Sequence, residues 1–195
     1  MVKIIGLTGG IGSGKTTVIN YIKSKGLPVY IADEAGKEVM EYPEIITKIN
    51  LLFNDEVLLP DGFLDRTKIA SIVFQNKELL GQLNQIVHPA VALHFENFKK
   101  ENATADVIFK ESAILFESEA YKKCDATILI TAPLHIRVHR VMLRDQITEE
   151  EVLKRVKNQM DDSEKAKLAT YIVENIDLNE TFKNVDQIVN KILIN

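Results

Sequence analysis

The run Gly9-Gly10-Ile11-Gly12-Ser13-Gly14-Lys15-Thr16 satisfies G-x-x-x-x-G-K-[ST], and its flanks restrict the fold more than any other stretch of the chain. Before it, Val2 to Thr8 is short and mostly apolar, as a parallel strand buried on both faces requires. After it, Val18 to Lys25 has helical spacing, with Val18, Ile19 and Ile22 on one side and Gly26 as the stop. A strand that feeds a helix through glycines can turn successive backbone N–H groups toward one anion, and the helix N-terminus adds its partial positive charge. The expected ligand is ATP with a magnesium ion, Mg2+. Gly10, Ile11, Gly12, Ser13 and Gly14 would cradle phosphate, Lys15 would reach the β and γ phosphates, Thr16 would coordinate the metal through its hydroxyl, and Thr17 would add a hydrogen bond.

The remainder of the chain supports an α/β reading. A second short strand, Pro28 to Ala32, ends at Asp33. From Asp33 to about Lys100 the pattern is helical, punctuated by Pro43, Pro60-Asp61-Gly62 and Pro89, which marks an inserted helical domain. Strand patterns resume at Asp106 to Phe109, Ala126 to Thr131 and Tyr171 to Glu174, with a short helix expected around Phe116 to Tyr121. Pro133 suits the first turn of a helix running through Arg144, and Thr148 to Glu151 signals an acidic helix start. Asp161 to Lys165 reads as a polar, mobile stretch, and Phe182 to Leu193 as a closing amphipathic helix. Strands alternating with helices give a mostly parallel sheet.

Composition narrows the class of partner. With 195 residues and 46% hydrophobic content the chain can bury a sizeable core, and its net charge of −4 provides no general attraction for nucleic acid. No apolar run approaches the length of a membrane span, no signal segment precedes the glycines, and the one cysteine, Cys124, has no thiol to pair with and reads as a buried apolar residue. The expectation is a cytoplasmic protein, monomeric or weakly homo-oligomeric, acting on small molecules.

Several residues outside the loop are candidates with two readings each. Asp33 would face the loop's crevice from the end of the second strand and serve as general base toward an alcohol; equally, it would cap a helix starting at Glu34. Arg140 and Arg144, four apart, share a helix face that would either close over the triphosphate or be solvated, whereas Arg137 reads as surface. His88 before Pro89 would order a helix boundary or bond substrate, and Lys165 to Lys167 read as a solvated helix end. No Asn-Lys-x-Asp motif supports a guanine-nucleotide switch; a nucleoside or nucleoside-monophosphate kinase is the alternative among kinases.

Gly6 to Thr16 strongly resembles the opening of the dephospho-coenzyme A kinases, a threonine followed by GGIGSGK and a serine or threonine. Ala32-Asp33, His88-Pro89, Leu115-Phe116-Glu117, Arg140 to Asp145, Arg155, Gln159-Met160 and Asn175 resemble that family's signatures in order along the chain. The resemblance implies a P-loop NTPase three-layer fold with a five-stranded parallel sheet. It divides the chain into a nucleotide core (1–32, 101–136 and 169–195), a helical substrate domain (33–100) and a lid (137–168). It implies transfer of the ATP γ-phosphoryl to the ribose 3′-hydroxyl of dephospho-CoA, with Asp33, Lys15 and Arg140 catalytic. Arg140, Arg144 and Asn175 would join the loop at the nucleotide, and Asp33, Lys37, His88 and Glu117 would touch the acceptor. The chain departs from the pattern at Glu111 for a usual aspartate, Ala113 for proline, Lys37 for arginine and Thr170 for aspartate.

Overall fold

The computed structural model describes residues 2–194; residues 1 and 195, the outermost of the expected core, lie outside it. Strand β1 (Lys3–Thr8) is the middle of a five-stranded sheet of order β2-β3-β1-β4-β5, with β2 Val29–Ile31, β3 Val107–Glu111, β4 Ala126–Thr131 and β5 Tyr171–Glu174. Every pairing is parallel, with Leu7 opposite both Glu111 and Ile128, so all five carboxyl ends lie along one edge. That edge is where open parallel sheets bind ligands.

Alternation places Ile5 and Leu7, Val107 and Phe109, and Ile128 and Ile130 on one sheet face. There they pack with Val18, Ile19 and Ile22 of helix α1 (Lys15–Ser24) and with Val185, Val189 and Ile192 of the C-terminal helix (Leu178–Ile194). Tyr21 and Phe182 stack at 4.0 Å where these two helices meet. On the opposite face Gly6 leaves room for the turn after β3: a Cβ there would lie 2.7 Å from Leu115 Cδ2 and 3.1 Å from Cys124 Sγ. That turn is irregular and ends in a single 3-10 turn, Ala120–Lys123, in place of the helix expected at Phe116 to Tyr121, because Glu119 takes a positive φ that breaks it. Cys124 is only half-buried, and burial raises its thiol pKa.

Residues 32–101 form a separate compact unit, and the residues up to Ile31 with those from Asn102 onward form the other. The separate unit holds α2 (Ala32–Val39), α3 (Pro43–Leu52), α4 (Arg66–Gln75) and α5 (Lys77–Glu101). Its own core is Ile45, Ile49, Phe53, Val57, Leu64, Ile69 and Leu83. Two expectations fail here. Pro89 lies inside the 25-residue α5, so it marks no boundary for His88 to order; the ring deprives only the Gln85 carbonyl of a helix bond, and Gln85 is exposed to water. Asp33 is the second residue of α2, so it is not the cap of a helix beginning at Glu34.

In the sheet-bearing unit, α6 (Leu134–Asp145) follows β4 with Pro133 as its cap residue, one position before the first turn. Helix α7 (Glu149–Lys157) opens on a complete capping box, Thr148 with Glu151. Asp162–Leu168 is helix α8, with Asp161 as its cap, so the stretch expected to be mobile is ordered. The C-terminal helix is α9.

A reciprocal pair joins β4 to the start of β5: Thr127 N–H donates to Thr170 Oγ1 at 3.0 Å and Thr170 N–H to Thr127 Oγ1 at 2.9 Å. Thr170→Val should leave the buried Thr127 N–H without an acceptor and lower stability by about 1–3 kcal/mol, while Thr170→Ser stays near wild type. Urea unfolding monitored by circular dichroism measures both; equal midpoints for Val and Ser would refute the role of this pair.

Candidate active site

The glycine loop leaves β1 and enters α1 through Gly14, whose left-handed backbone (φ 90°, ψ 24°) caps the helix, preceded by Gly12 at φ 78°. Helix α1 therefore starts at Lys15, three residues before the first apolar position that its periodicity marks. The first N–H groups of a helix lack internal acceptors, so the turn Lys15-Thr16-Thr17 presents donors along the loop's open side.

The loop's other side is filled by protein. A Cβ on Gly10 would collide with the Arg137 guanidinium, one on Gly12 with the Arg137 carbonyl, and one on Gly14 with the Asn175 amide. Arg137 is 6% exposed and pairs through Nη1 with Asp162 Oδ2 at 3.2 Å; Thr131 Oγ1 donates to the same oxygen at 3.0 Å. Arg137 is thus a buried strut under the loop and not the surface residue expected. A signal for this lies in the sequence: Arg137, Val138 and Val141 share the inward stripe of α6. Asn175, 2% exposed, donates from Nδ2 to the Ser13 carbonyl at 2.8 Å and accepts from Thr181 Oγ1 at 3.2 Å. Its side chain is therefore engaged behind the loop.

Lys15 Nζ donates to the Gly9 carbonyl at 3.0 Å and lies 3.9 Å from Glu111 Oε1 at the end of β3. Arg140 Nη1 donates to the Asn175 carbonyl at 3.0 Å, which anchors the guanidinium beside the loop. Arg144 pairs with Asp145 through Nε at 2.7 Å and Nη2 at 3.0 Å, and Arg155 Nη1 reaches Asp145 Oδ2 at 2.8 Å. The Arg144 hydrogen bonds, then the charges of both arginines, hold the Asp145 carboxyl below its ordinary pKa, and Asp145 in turn raises that of Arg144. Residues 10–17 of the loop enclose a cavity of about 430 Å³ with Ala113, Arg140, Val141, Arg144 and Gln159.

Thr16 lines this cavity with a hydroxyl, and the buried Glu111 carboxylate lies 3.9 Å from Lys15 Nζ; oxygen is the donor type that Mg2+ prefers. Among the described residues no cluster of three His, Cys, Asp or Glu could by itself hold a metal ion. A metal that keeps several waters and bridges phosphates needs only one or two protein oxygens, so this donor set fits it.

Glu117 follows the turn after β3. Its Oε1 lies 3.1 Å from Nζ of Lys165, which is wholly buried and not a solvated helix end, and accepts the Met160 N–H at 3.1 Å. Burial alone would raise the Glu117 pKa, but the backbone N–H donors and the Lys165 ammonium lower it overall. The other expected acceptor-binding residues belong to the helical unit: Asp33 and Lys37, one turn apart on α2, and His88 on α5, all three exposed. In that unit His94 Nε2 lies 3.4 Å from Glu38 Oε1, and the Lys37 carbonyl accepts from Arg66 Nη2 at 3.1 Å.

A parallel sheet whose central strand feeds a phosphate loop, flanked by arginines on a following helix, defines a P-loop kinase fold. The dephospho-CoA kinase family model matches residues 3–180, and the chain belongs to that family. A dephospho-CoA kinase of Fusobacterium nucleatum is 38% identical over 187 residues, covering 95% of this chain and 96% of the relative. A solved protein from Thermus thermophilus superposes with a TM-score of 0.89 at 36% identity, covering 97% of both chains. The dephospho-CoA kinase from Campylobacter jejuni shares the fold, with a TM-score of 0.68 at 23% identity and 97% of each chain covered.

The Glu117–Lys165 pair gives an asymmetric prediction. Glu117→Gln leaves a fully buried ammonium without a counter-charge and should destabilise the protein by about 3–5 kcal/mol at pH 7. Lys165→Met leaves a carboxylate that is 23% exposed and still accepts Met160 N–H, so its cost is smaller, about 1–2 kcal/mol. Because the folded Glu117 pKa lies below its ordinary 4.5, its contribution is complete above pH 4.5 and lost as pH falls through the folded value. Guanidinium unfolding of wild type and Glu117→Gln from pH 3 to 7 should show the gap between their stabilities narrowing below pH 4.5, by at most about 2 kcal/mol at pH 3; a constant difference would refute the assignment.

Proposed function

We propose that this chain is a dephospho-CoA kinase that transfers the γ-phosphoryl of ATP to the ribose 3′-hydroxyl of dephospho-CoA, completing coenzyme A synthesis. What carries this reading is the family match over residues 3–180 coinciding with a cavity that gathers the loop, Lys15, Arg140 and Arg144.

The loop backbone and Lys15 bind the triphosphate; Thr16 and Thr17 add hydroxyls at the helix N-terminus. Thr16 would hold Mg2+ through its hydroxyl, and the metal's charge would offset that of the phosphates. Arg140 takes up the charge that develops on the transferring phosphoryl, and its tether to the Asn175 carbonyl fixes it beforehand. Arg144 joins it when a phosphate competes with Asp145 for its guanidinium. Asn175 contributes through Ser13 and not by direct contact with nucleotide.

Asp33 accepts the proton of the attacking 3′-hydroxyl. It stands two residues past Ile31, the carboxyl end of β2, and β2 ends on the same sheet edge as β1. Lys37 and His88 bind the acceptor from the helical domain, residues 33–100, and residues 137–168 act as the lid. Glu117 supports that lid's connection through Lys165 and Met160. The enzyme works in the cytoplasm as a monomer or weak homo-oligomer; none of the described helices is long and apolar enough to cross a membrane.

A coupled assay for ADP release, run with dephospho-CoA, AMP, uridine or no acceptor, tests the function; stimulation only by AMP or uridine would refute it. Asp33→Asn should retain ATP binding and lose turnover by about a hundredfold or more, the scale of general-base catalysis. Lys15→Ala should lose both. Near-normal turnover in Asp33→Asn would remove Asp33 from the role of base.

A further inference from the structure

The connector between α7 and α8 reaches into the phosphate cavity through one side chain. Ile11 N–H, at the apex of the glycine loop, donates to Gln159 Oε1 at 2.8 Å. A backbone N–H can only donate, so the atom facing Ile11 must be the amide oxygen, and the orientation of the Gln159 amide is thereby determined. Gln159 is half-buried and lines the same cavity as Lys15, Arg140 and Arg144. With the oxygen committed to the loop, the two N–H donors of Nε2 remain for whatever occupies that cavity.

The side chain is held from several directions. The next residue, Met160, donates its N–H to Glu117, and Lys165 on α8 pairs with the same carboxylate. Asp162, three residues on, is joined to Arg137 and Thr131. On the loop side, Ile11 packs with Val138, Val141 and Val152 of α6 and α7. Gln159 is thus fixed at both ends: its backbone by the Glu117 and Asp162 attachments, its amide by Ile11. An amide that cannot rotate away is a preorganised donor, the arrangement that stabilises charge on a phosphoryl group at no reorganisation cost.

We propose that Gln159 is a nucleotide-contacting residue of the reaction, its Oε1 holding the loop apex and its Nε2 donating to the polyphosphate of ATP. The proposal rests on the kinase reading for its ligand, and the substitutions separate its two halves. Gln159→Glu keeps an acceptor for Ile11 N–H but removes both donors and adds a charge that repels phosphate. Gln159→Met removes acceptor and donors without adding charge.

In the full-length protein, ATP and ADP binding by calorimetry and turnover with dephospho-CoA are measured beside thermal unfolding. Donation to phosphate predicts that Gln159→Glu melts within a few degrees of wild type yet binds ATP about ten- to a hundredfold more weakly, the range for a hydrogen bond to a charged group. Gln159→Met should weaken ATP binding by about tenfold as well, and turnover should fall in both variants. If Gln159→Glu binds ATP and turns over as wild type does, the side chain serves the loop alone and the proposal is overturned. Wild-type ATP affinity in Gln159→Met would overturn it equally. Wild-type protein that binds ATP but phosphorylates no dephospho-CoA would refute the kinase reading instead, while the ATP affinities of the variants would still decide the role of Gln159.

Discussion

Everything at this site depends on holding a glycine-rich backbone in a shape that it would not keep alone. Glycine loses more conformational freedom on folding than any other residue, and four glycines stand within the six positions from Gly9 to Gly14. The restraint comes from behind. Arg137 lies against Gly10 and Gly12, and Asn175 lies against Gly14 while bonding Ser13. These glycines are therefore required as much by what presses on the loop's protein side as by the phosphate expected on its open side. The anchors are remote in sequence, on α6 and just past β5, so the restraint on the loop is a tertiary one that no local signal carries.

The same dependence on distant partners extends to the charged groups. Arg137 and Lys165 are buried against the part-exposed carboxylates of Asp162 and Glu117, and each pair ties α8 to a different neighbour: the start of α6, and the turn after β3. Desolvating such pairs is expensive, and apolar replacements often serve stability as well or better. What the ionic versions add here is direction. A guanidinium that must meet Asp162 and a carboxylate that must meet Lys165 and Met160 N–H allow fewer registers for α8 than an apolar contact would.

The sheet and the loop are legible in the sequence because their signals are local. β4 and β5 lie at the expected residues, and the match to G-x-x-x-x-G-K-[ST] needs no tertiary information. The failures at Arg137, Lys165 and Asp162 share a cause, the equation of charge with solvent. Arg137, Lys165 and Asp162 look like surface because their partners are 25 or more residues away, and no spacing rule connects Arg137 with Asp162 or Glu117 with Lys165. Only the apolar company of Arg137 on α6 hints otherwise. Pro89 misleads in the opposite sense: a proline disfavours a helix interior but does not forbid it, and here the carbonyl it orphans, Gln85, belongs to a residue exposed to water. At Thr170, a departure from the resembled pattern, the hydroxyl accepts the Thr127 N–H. Lys37 rests on resemblance alone, whereas Asp33 and His88 also carry a reading from position, and the exposure of all three on the helical unit leaves their side chains accessible to a ligand.

Lys165 has a consequence beyond the ion pair. Its amine has no solvent exposure, so acylating or reductively alkylating reagents can reach it only when α8 detaches. Exposed lysines such as Lys154 and Lys167 would react first without disturbing it, whereas its own modification would record each opening of the segment that carries Gln159 and Asp162. The protein thereby contains a chemical clock for the motion of that segment, readable one residue at a time by peptide mass.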